Sequence, residues 1–291
     1  MNPRSGDQRP SPEELAEEAR RLGVDVHVLG EDDDATEVAR RAAESGAESL
    51  GMAGGDGSLA AVAAVALERD LPFVCIPFGT RNHFARDLGI DRDDPVGTLA
   101  AFQGRERRID VGAVGERLSL NNVSLGLYAS FVHDPARKTR NRLMAFLRMA
   151  PAALGRGRSP LDVSFEFEGR RERRAALVVL VANNDYRIET LADLGERACL
   201  DESLLHAYVI EAVSRRALLA LLARAAVGNV GEAKGLVEWA AERFSVESSR
   251  ARLHAAIDGE PVVLETPLAF EVEPRALRVL VPPSGAQSGV E

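Results

Sequence analysis

The sequence predicts an α/β domain built on a parallel sheet, followed by a second, mainly β domain. Three observations carry this. The chain has 291 residues, enough for about two domains at the usual 100–200 residues each. From Pro12 to Ile76, helix-like and strand-like stretches alternate, the pattern of a parallel sheet. After about Asp110 the pattern changes to short apolar runs separated by turn residues, which reads as strand after strand.

The elements follow in order. A helix is expected from Glu13 to Leu22, with Pro12 suited to its first turn, and a strand from Val24 to Leu29. A helix at Ala35 to Ser45, a strand at Ser49 to Ala53, a helix at Leu59 to Arg69 and a strand at Phe73 to Ile76 complete the alternation. Strands are then expected at Leu118 to Leu125, Leu161 to Phe167, Ala175 to Ala182, Leu204 to Ile210, His254 to Ile257 and Val262 to Leu264. Helical stretches interrupt them at Arg137 to Ala150 and Ser214 to Ala226. Leu268 to Val281 reads as closing strands, with Pro274 inside, before a frayed tail. The expected division is 1–112, 113–266 and a closing segment 267–291 that returns toward the first domain.

Composition excludes several classes. Apolar residues at 45% and charged residues at 28% describe a globular chain. The longest apolar runs, Leu59 to Leu67 and Ala175 to Ala182, fall far short of the roughly 18 residues of a spanning helix. No basic and then apolar leader precedes Leu22, so a cytoplasmic address is expected. Cys75 and Cys199 sit in apolar contexts and read as buried, reduced thiols. A net charge of −9 argues against nucleic acid as a partner. The charge is uneven, however: Pro135 to Leu161 holds seven basic residues and no acid.

The sharpest chemical feature is Gly54-Gly55-Asp56-Gly57-Ser58, where a strand meets a glycine turn and then an apolar helix. Glycines let backbone amides face a phosphate, and a helix N-terminus adds partial positive charge. A turn of this kind is also ordinary structure in parallel α/β folds. No lysine follows the glycines, which excludes a Walker loop, and Pro77-Phe78-Gly79-Thr80 closes the next strand where a dinucleotide site would need an acid. A carboxylate beside phosphate is repulsive unless Mg²⁺ intervenes or the acid accepts a hydrogen bond, so Asp56 suggests metal-assisted phosphoryl transfer. A second strand end and glycine turn, Gly79-Thr80-Arg81-Asn82-His83, offers further amides, with Thr80 placed to cap a helix or bond a phosphate.

With these motifs in order, the chain resembles the bacterial diacylglycerol kinases and related lipid kinases, relatives of the sphingosine kinases and NAD kinases. Asn2-Pro3-Arg4-Ser5-Gly6 resembles the family's opening turn. Gly-Gly-Asp-Gly at Gly54, Gly-Thr-x-Asn at Gly79, Asp110, and Asn-x-x-Ser-x-Gly at Asn121, Ser124 and Gly126 follow, then Asp258-Gly259-Glu260. The resemblance spans nearly the whole chain. It implies an N-terminal α/β nucleotide-binding domain with a parallel sheet and a C-terminal β-sandwich-like domain, with ATP and a lipid headgroup meeting between them. By the same resemblance, Asn2, Pro3, Arg4, Ser5, Gly6, Gly54, Gly55, Asp56, Gly57, Ser58, Gly79, Thr80 and Asn82 hold the nucleotide. Asp56 and Asp110 join a Mg²⁺ network, Asp201 and Glu202 stand at a structural metal, and Glu260 or Asp56 acts as base on a lipid hydroxyl such as that of diacylglycerol.

The chain departs from the family at His83, where an acid is usual, at Ala60-Ala61, where many members carry Asn-Glu, and at Asp201-Glu202-Ser203, where an Asp-Gly turn is usual. Only Met1 precedes the opening turn, so either the start lies upstream or the first strand is lacking. A lipid kinase must reach a bilayer, and the basic stretch Arg137 to Arg158, interleaved with Leu143, Met144, Phe146 and Leu147, is the candidate for peripheral contact at the inner face of the membrane. A homodimer is left open. So are two other functions, a kinase for a soluble acceptor and a non-catalytic nucleotide or lipid sensor.

Overall fold

The computed structural model describes residues 1–5, 10–79, 82–127, 129, 160–186, 197, 199–211, 214, 216 and 235–283. Two compact units divide the chain: Met1–Asp110 with Pro274–Glu291, and Val111–Glu273.

In the first unit, helix α1 (Pro12–Arg21) starts behind a capping box. The Ser11 hydroxyl accepts from Glu14 N, and Ser11 N donates to the Glu14 carboxylate, so two otherwise orphaned amides are satisfied. Leu15, Ala16 and Ala19 form its buried face. Helix α2 (Ala35–Glu44) is capped by Asp34. Strand β1 (Leu50–Gly54), helix α3 (Asp56–Glu68), strand β2 (Phe73–Pro77), and short helices α4 (His83–Asp87) and α5 (Pro95–Thr98) follow, with a 3-10 turn at Leu99–Gln103. β1 pairs β2 in parallel, with Gly54 opposite Pro77. Every residue of β2 is buried, as expected of a strand covered on both faces. Leu59, Val62, Ala63 and Ala66 line the buried side of α3, the three-and-four spacing of a helix face.

Two expectations are corrected here. Val24–Leu29 does not form a strand. Leu29 N donates to Met1 O and the Met1 ammonium to His27 O, and these two bonds are too few to make a ladder. Helix α3 begins at Asp56, not Leu59, so Asp56, Gly57 and Ser58 lie in its first turn.

Strand β3 (Arg105–Val114) leads into the second unit, which contains β4 (Arg117–Ser119), β5 (Asn122–Gly126), β6 (Leu161–Phe167), β7 (Arg170–Asn183), β8 (Leu205–Glu211), β9 (Leu236–Ala241), β10 (Arg243–Ser248), β11 (Arg252–Ile257) and β12 (Glu260–Glu265). Strand β13 (Leu268–Val281) pairs antiparallel with β10 in its first half and parallel with β2 in its second. Long β7 pairs antiparallel with β6, β5 and β8 in turn. The core of this unit includes Val123, Leu125, Phe165, Val179, Phe244, Val246 and Phe270. Trp239 packs on it, with ring centroids 5.1 Å from Phe165 and 5.5 Å from Phe167, distances typical of favourable aromatic pairs.

The single strand expected over Leu118 to Leu125 is two strands, β4 and β5, broken at Leu120 and Asn121. Cys75 is fully buried, whereas Cys199 is only half-buried, and neither forms a disulfide. The helical stretch expected over Arg137 to Ala150 lies outside the described residues, as does nearly all of Ser214 to Ala226. Among the described residues no helix is long and apolar enough to cross a membrane.

Candidate active site

The parallel pairing of β1 and β2 brings Gly54 and Pro77 side by side, and each strand runs through a glycine turn into a helix. The turns touch. A Cβ on Gly79 would lie 2.5 Å from Gly55 Cα and 2.9 Å from Asn82 Oδ1, and one on Gly54 would lie 3.0 Å from Ser58 Cβ. The N-cap of α3 is Gly55, which brings no side-chain oxygen to the first-turn amides. A bare backbone surface at a helix N-terminus suits an anion.

Asn82 clamps the second turn. Its backbone is left-handed with φ 48°, a conformation that Asn tolerates better than most residues. Its Oδ1 accepts from Gly79 N at 2.9 Å and its Nδ2 donates to Gly79 O at 2.7 Å. Asp56 joins the turns: Oδ2 accepts from His83 N at 3.4 Å and Oδ1 from Phe84 N at 3.3 Å. Position 83 therefore meets Asp56 through its amide, a contact that any side chain at 83 would permit. Burial pushes the Cys75 thiol well up, and the nearby Asp56 charge adds to it.

The opening turn sits on the same framework. Asn2 N donates to Ala53 O at 2.8 Å, and Asn2 Nδ2 to Ser58 Oγ at 3.1 Å. Asn2 Oδ1 accepts from Arg4 N at 3.1 Å, Asn2 O from Ser5 N at 3.3 Å, and the Arg4 guanidinium donates to Gly30 O. Pro3 lies within that turn, and Gly57 within the first turn of α3. Gly6 and Thr80 are outside the described residues. Asp110 is buried on β3, and its Oδ1 accepts from Arg275 N at 2.8 Å, where β13 takes a left-handed kink.

In the second unit, Asp258 organises the loop between β4 and β5. It begins the β11–β12 hairpin turn, with φ 49° at Asp258 and 86° at Gly259, both of the left-handed type that a two-residue hairpin requires. Its carboxylate accepts from Ser119 Oγ at 3.1 Å, Leu120 N at 2.8 Å, Asn121 N at 2.7 Å and Asn122 N at 3.0 Å. Burial pushes this carboxyl above the ordinary aspartate range, and the four donors pull against that shift. Arg197, buried, secures the other side of the same loop by donating to Leu120 O at 2.7 Å, Asn183 O at 3.2 Å and Asn121 Oδ1 at 3.0 Å. Gly126 has φ 83°, and a Cβ there would meet Leu177 O at 2.5 Å, so only glycine fits. Glu260 is exposed at the start of β12, opposite Ile257 where the hairpin closes.

Asp201 is exposed, and Ser203 takes φ 64°, so the turn keeps a glycine-like conformation without a glycine. The Glu202 carboxylate accepts from Asp185 N and faces His206 Nε2, each at 3.2 Å. Asp258 as a four-donor hub and Arg197 as a loop anchor were not foreseen. For Asp258 the sequence offered only an Asp-Gly turn, and its partners lie more than a hundred residues away. For Arg197 it offered no signal.

A model of the diacylglycerol kinase catalytic domain matches residues 1–114, and one of the YegS C-terminal NAD kinase beta sandwich-like domain matches residues 122–281. A "Probable lipid kinase YegS-like" of Pseudomonas aeruginosa is 30% identical, over 88% of this chain and 84% of that protein. A diacylglycerol kinase of Bacillus subtilis is 25% identical, over 78% of this chain and 76% of that protein. A crystal structure of a diacylglycerol kinase from Bacillus anthracis shares the fold with TM-score 0.70 at 17% identity, covering 96% of this chain and 94% of that one. The chain belongs to the diacylglycerol kinase and YegS-like lipid kinase family, a family of phosphotransferases.

Proposed function

We propose that the protein transfers the γ-phosphoryl group of ATP, with Mg²⁺, to the hydroxyl of a lipid such as diacylglycerol. The observation that carries this reading is the pair of touching glycine turns at the ends of β1 and β2, where side chains are excluded and an uncapped helix begins. Gly54, Gly55 and the uncapped first-turn amides that follow would hold the phosphates, Gly79 would leave the space beside them free of a side chain, and Asn2 and Ser58 would fix the edge of that surface. Asp56, held beside the glycine turns by the amides of residues 83 and 84, is the carboxylate that would meet a hydrated Mg²⁺, an ion that keeps several waters and takes one or two carboxylates beside phosphate oxygens. Bound with ATP, that ion would neutralise charge on the phosphates. Asp110, with one oxygen on the Arg275 amide, is given the task of holding β3 and β13 in register. Glu260, exposed and able to accept a proton, would orient and deprotonate the acceptor hydroxyl. Asp258 and Arg197 would set the shape of the loop behind it.

The test is to incubate the protein with Mg²⁺, γ-labelled ATP and a panel holding diacylglycerol, other lipid alcohols, NAD and a sugar phosphate. Label is expected in the organic phase with a lipid. Label only on a water-soluble acceptor would replace the lipid reading. ATP bound but unconsumed across the panel would replace it with a sensor.

A further inference from the structure

Strands β8 and β9 and the end of β7 assemble a group of side chains that phosphoryl transfer does not use. His206, only 7% exposed, lies on β8 beside three carboxylates. Its Nδ1 is 3.1 Å from Glu238 Oε1 and 3.9 Å from Asp185 Oδ1, and its Nε2 is 3.2 Å from Glu202 Oε2. A buried imidazole with carboxylates on both of its nitrogens is a donor set of the kind that binds a divalent cation.

The geometry points to which atoms would take it. Ligand atoms from Asp185, His206 and Glu238 all lie within 4.8 Å of one another. Two ligands sharing a tetrahedral ion at bond lengths near 2.1 Å stand roughly 3.4 Å apart, and the two distances from Nδ1 bracket that value. The surroundings are built to orient these ligands. Glu202 faces the far nitrogen of His206, the arrangement that fixes the tautomer with Nδ1 as donor to a metal. Glu202 is itself held, accepting from Asp185 N at 3.2 Å, while its own amide donates to Asn184 Oδ1 at 2.9 Å. The Tyr208 hydroxyl donates to Asp185 Oδ1 at 2.7 Å, and its ring stacks on His206.

We propose that Asp185, His206 and Glu238 form a site for one divalent transition-metal ion of the Zn²⁺ type, with water completing the coordination. One imidazole and two carboxylates suit such an ion better than Mg²⁺, which prefers oxygen ligands alone. Asp201 is not among the ligands, and none of the residues assigned to phosphoryl transfer takes part. The ion would tie β8 and β9 to the chain leaving β7.

The experiment uses the tag-free full chain, stripped with chelator, and Zn²⁺ alone as the probe. Calorimetric titration is expected to give one ion per chain and a raised melting temperature. Glu238→Gln and Asp185→Asn, both on side chains about half exposed, should weaken binding at least tenfold and remove the thermal shift, while Asp201→Asn should bind as wild type does. Tyr208→Phe, which removes a group that orients a ligand, should weaken binding about tenfold. Wild-type protein that takes up no stoichiometric Zn²⁺, or a Glu238→Gln variant that binds as tightly as wild type, would overturn the proposal and leave His206 as a hydrogen-bonded link between carboxylates.

Discussion

A methyl group at Gly79 would collide with the backbone of Gly55, because the two turns meet at a distance that only glycine allows. Gly79→Ala is therefore expected to push the turns apart, lowering ATP affinity at least tenfold and costing about 1–3 kcal/mol of stability. Calorimetric titration with ATP and a urea unfolding curve measure the two effects. At the same scale, Asp56 meets residue 83 through the backbone. Its carboxylate accepts the amides of residues 83 and 84, so the turn is held together by a backbone contact. The motif Gly-Thr-x-Asn made Gly79 and Asn82 conspicuous in the sequence. What they do there, a glycine against a glycine and an amide side chain closing a ring on its own turn, depends on tertiary contacts that spacing does not reveal.

Among the elements, two of the hairpins show contrasting turn chemistry. β11–β12 uses Asp258-Gly259, whereas β6–β7 turns on Glu168-Gly169, with φ 48° and 73°. Glutamate has no local hydrogen bond to favour the left-handed region, so Glu168→Asn is expected to raise stability by about 0.5–1 kcal/mol, read as a higher urea midpoint. Asp258→Ala should do the opposite. It strands the amides of Leu120, Asn121 and Asn122 and is expected to cost about 3 kcal/mol, with amide exchange rising first over residues 119–122. β2, a continuous apolar run, and β6, whose apolar residues alternate with polar ones, are plain in the sequence. β9 and β10 are not. Leu-Val-Glu-Trp-Ala-Ala is as compatible with a helix as with a strand, and β10 buries only Phe244 and Val246. Each becomes a strand through its neighbours, Trp239 against Phe165 and Phe167, and Phe244 against Phe167. The expected Val24–Leu29 strand failed for the complementary reason, since its side chains suit a strand but its backbone finds too few partners.

For the whole molecule, the chain crosses from the first unit to the second on β3 and returns on β13, so the sequence separates residues that the fold assigns to one unit. That is why Asp110 pairs with Arg275, a contact beyond the reach of periodicity. The net charge of −9 falls on a protein proposed to work at an anionic surface, and the basic stretch expected to mediate that contact lies outside the described residues. The central claim is narrower and tests directly: phosphoryl transfer to a lipid hydroxyl, with Glu260 as the base. The most direct measurement is the rate at which label from γ-labelled ATP enters diacylglycerol, for wild type and for Glu260→Gln. Wild type should label the lipid, and the variant should be slower by about 100-fold or more with ATP affinity unchanged. A variant as fast as wild type would contradict the assignment of Glu260, and a wild type that labels no lipid would contradict the account as a whole.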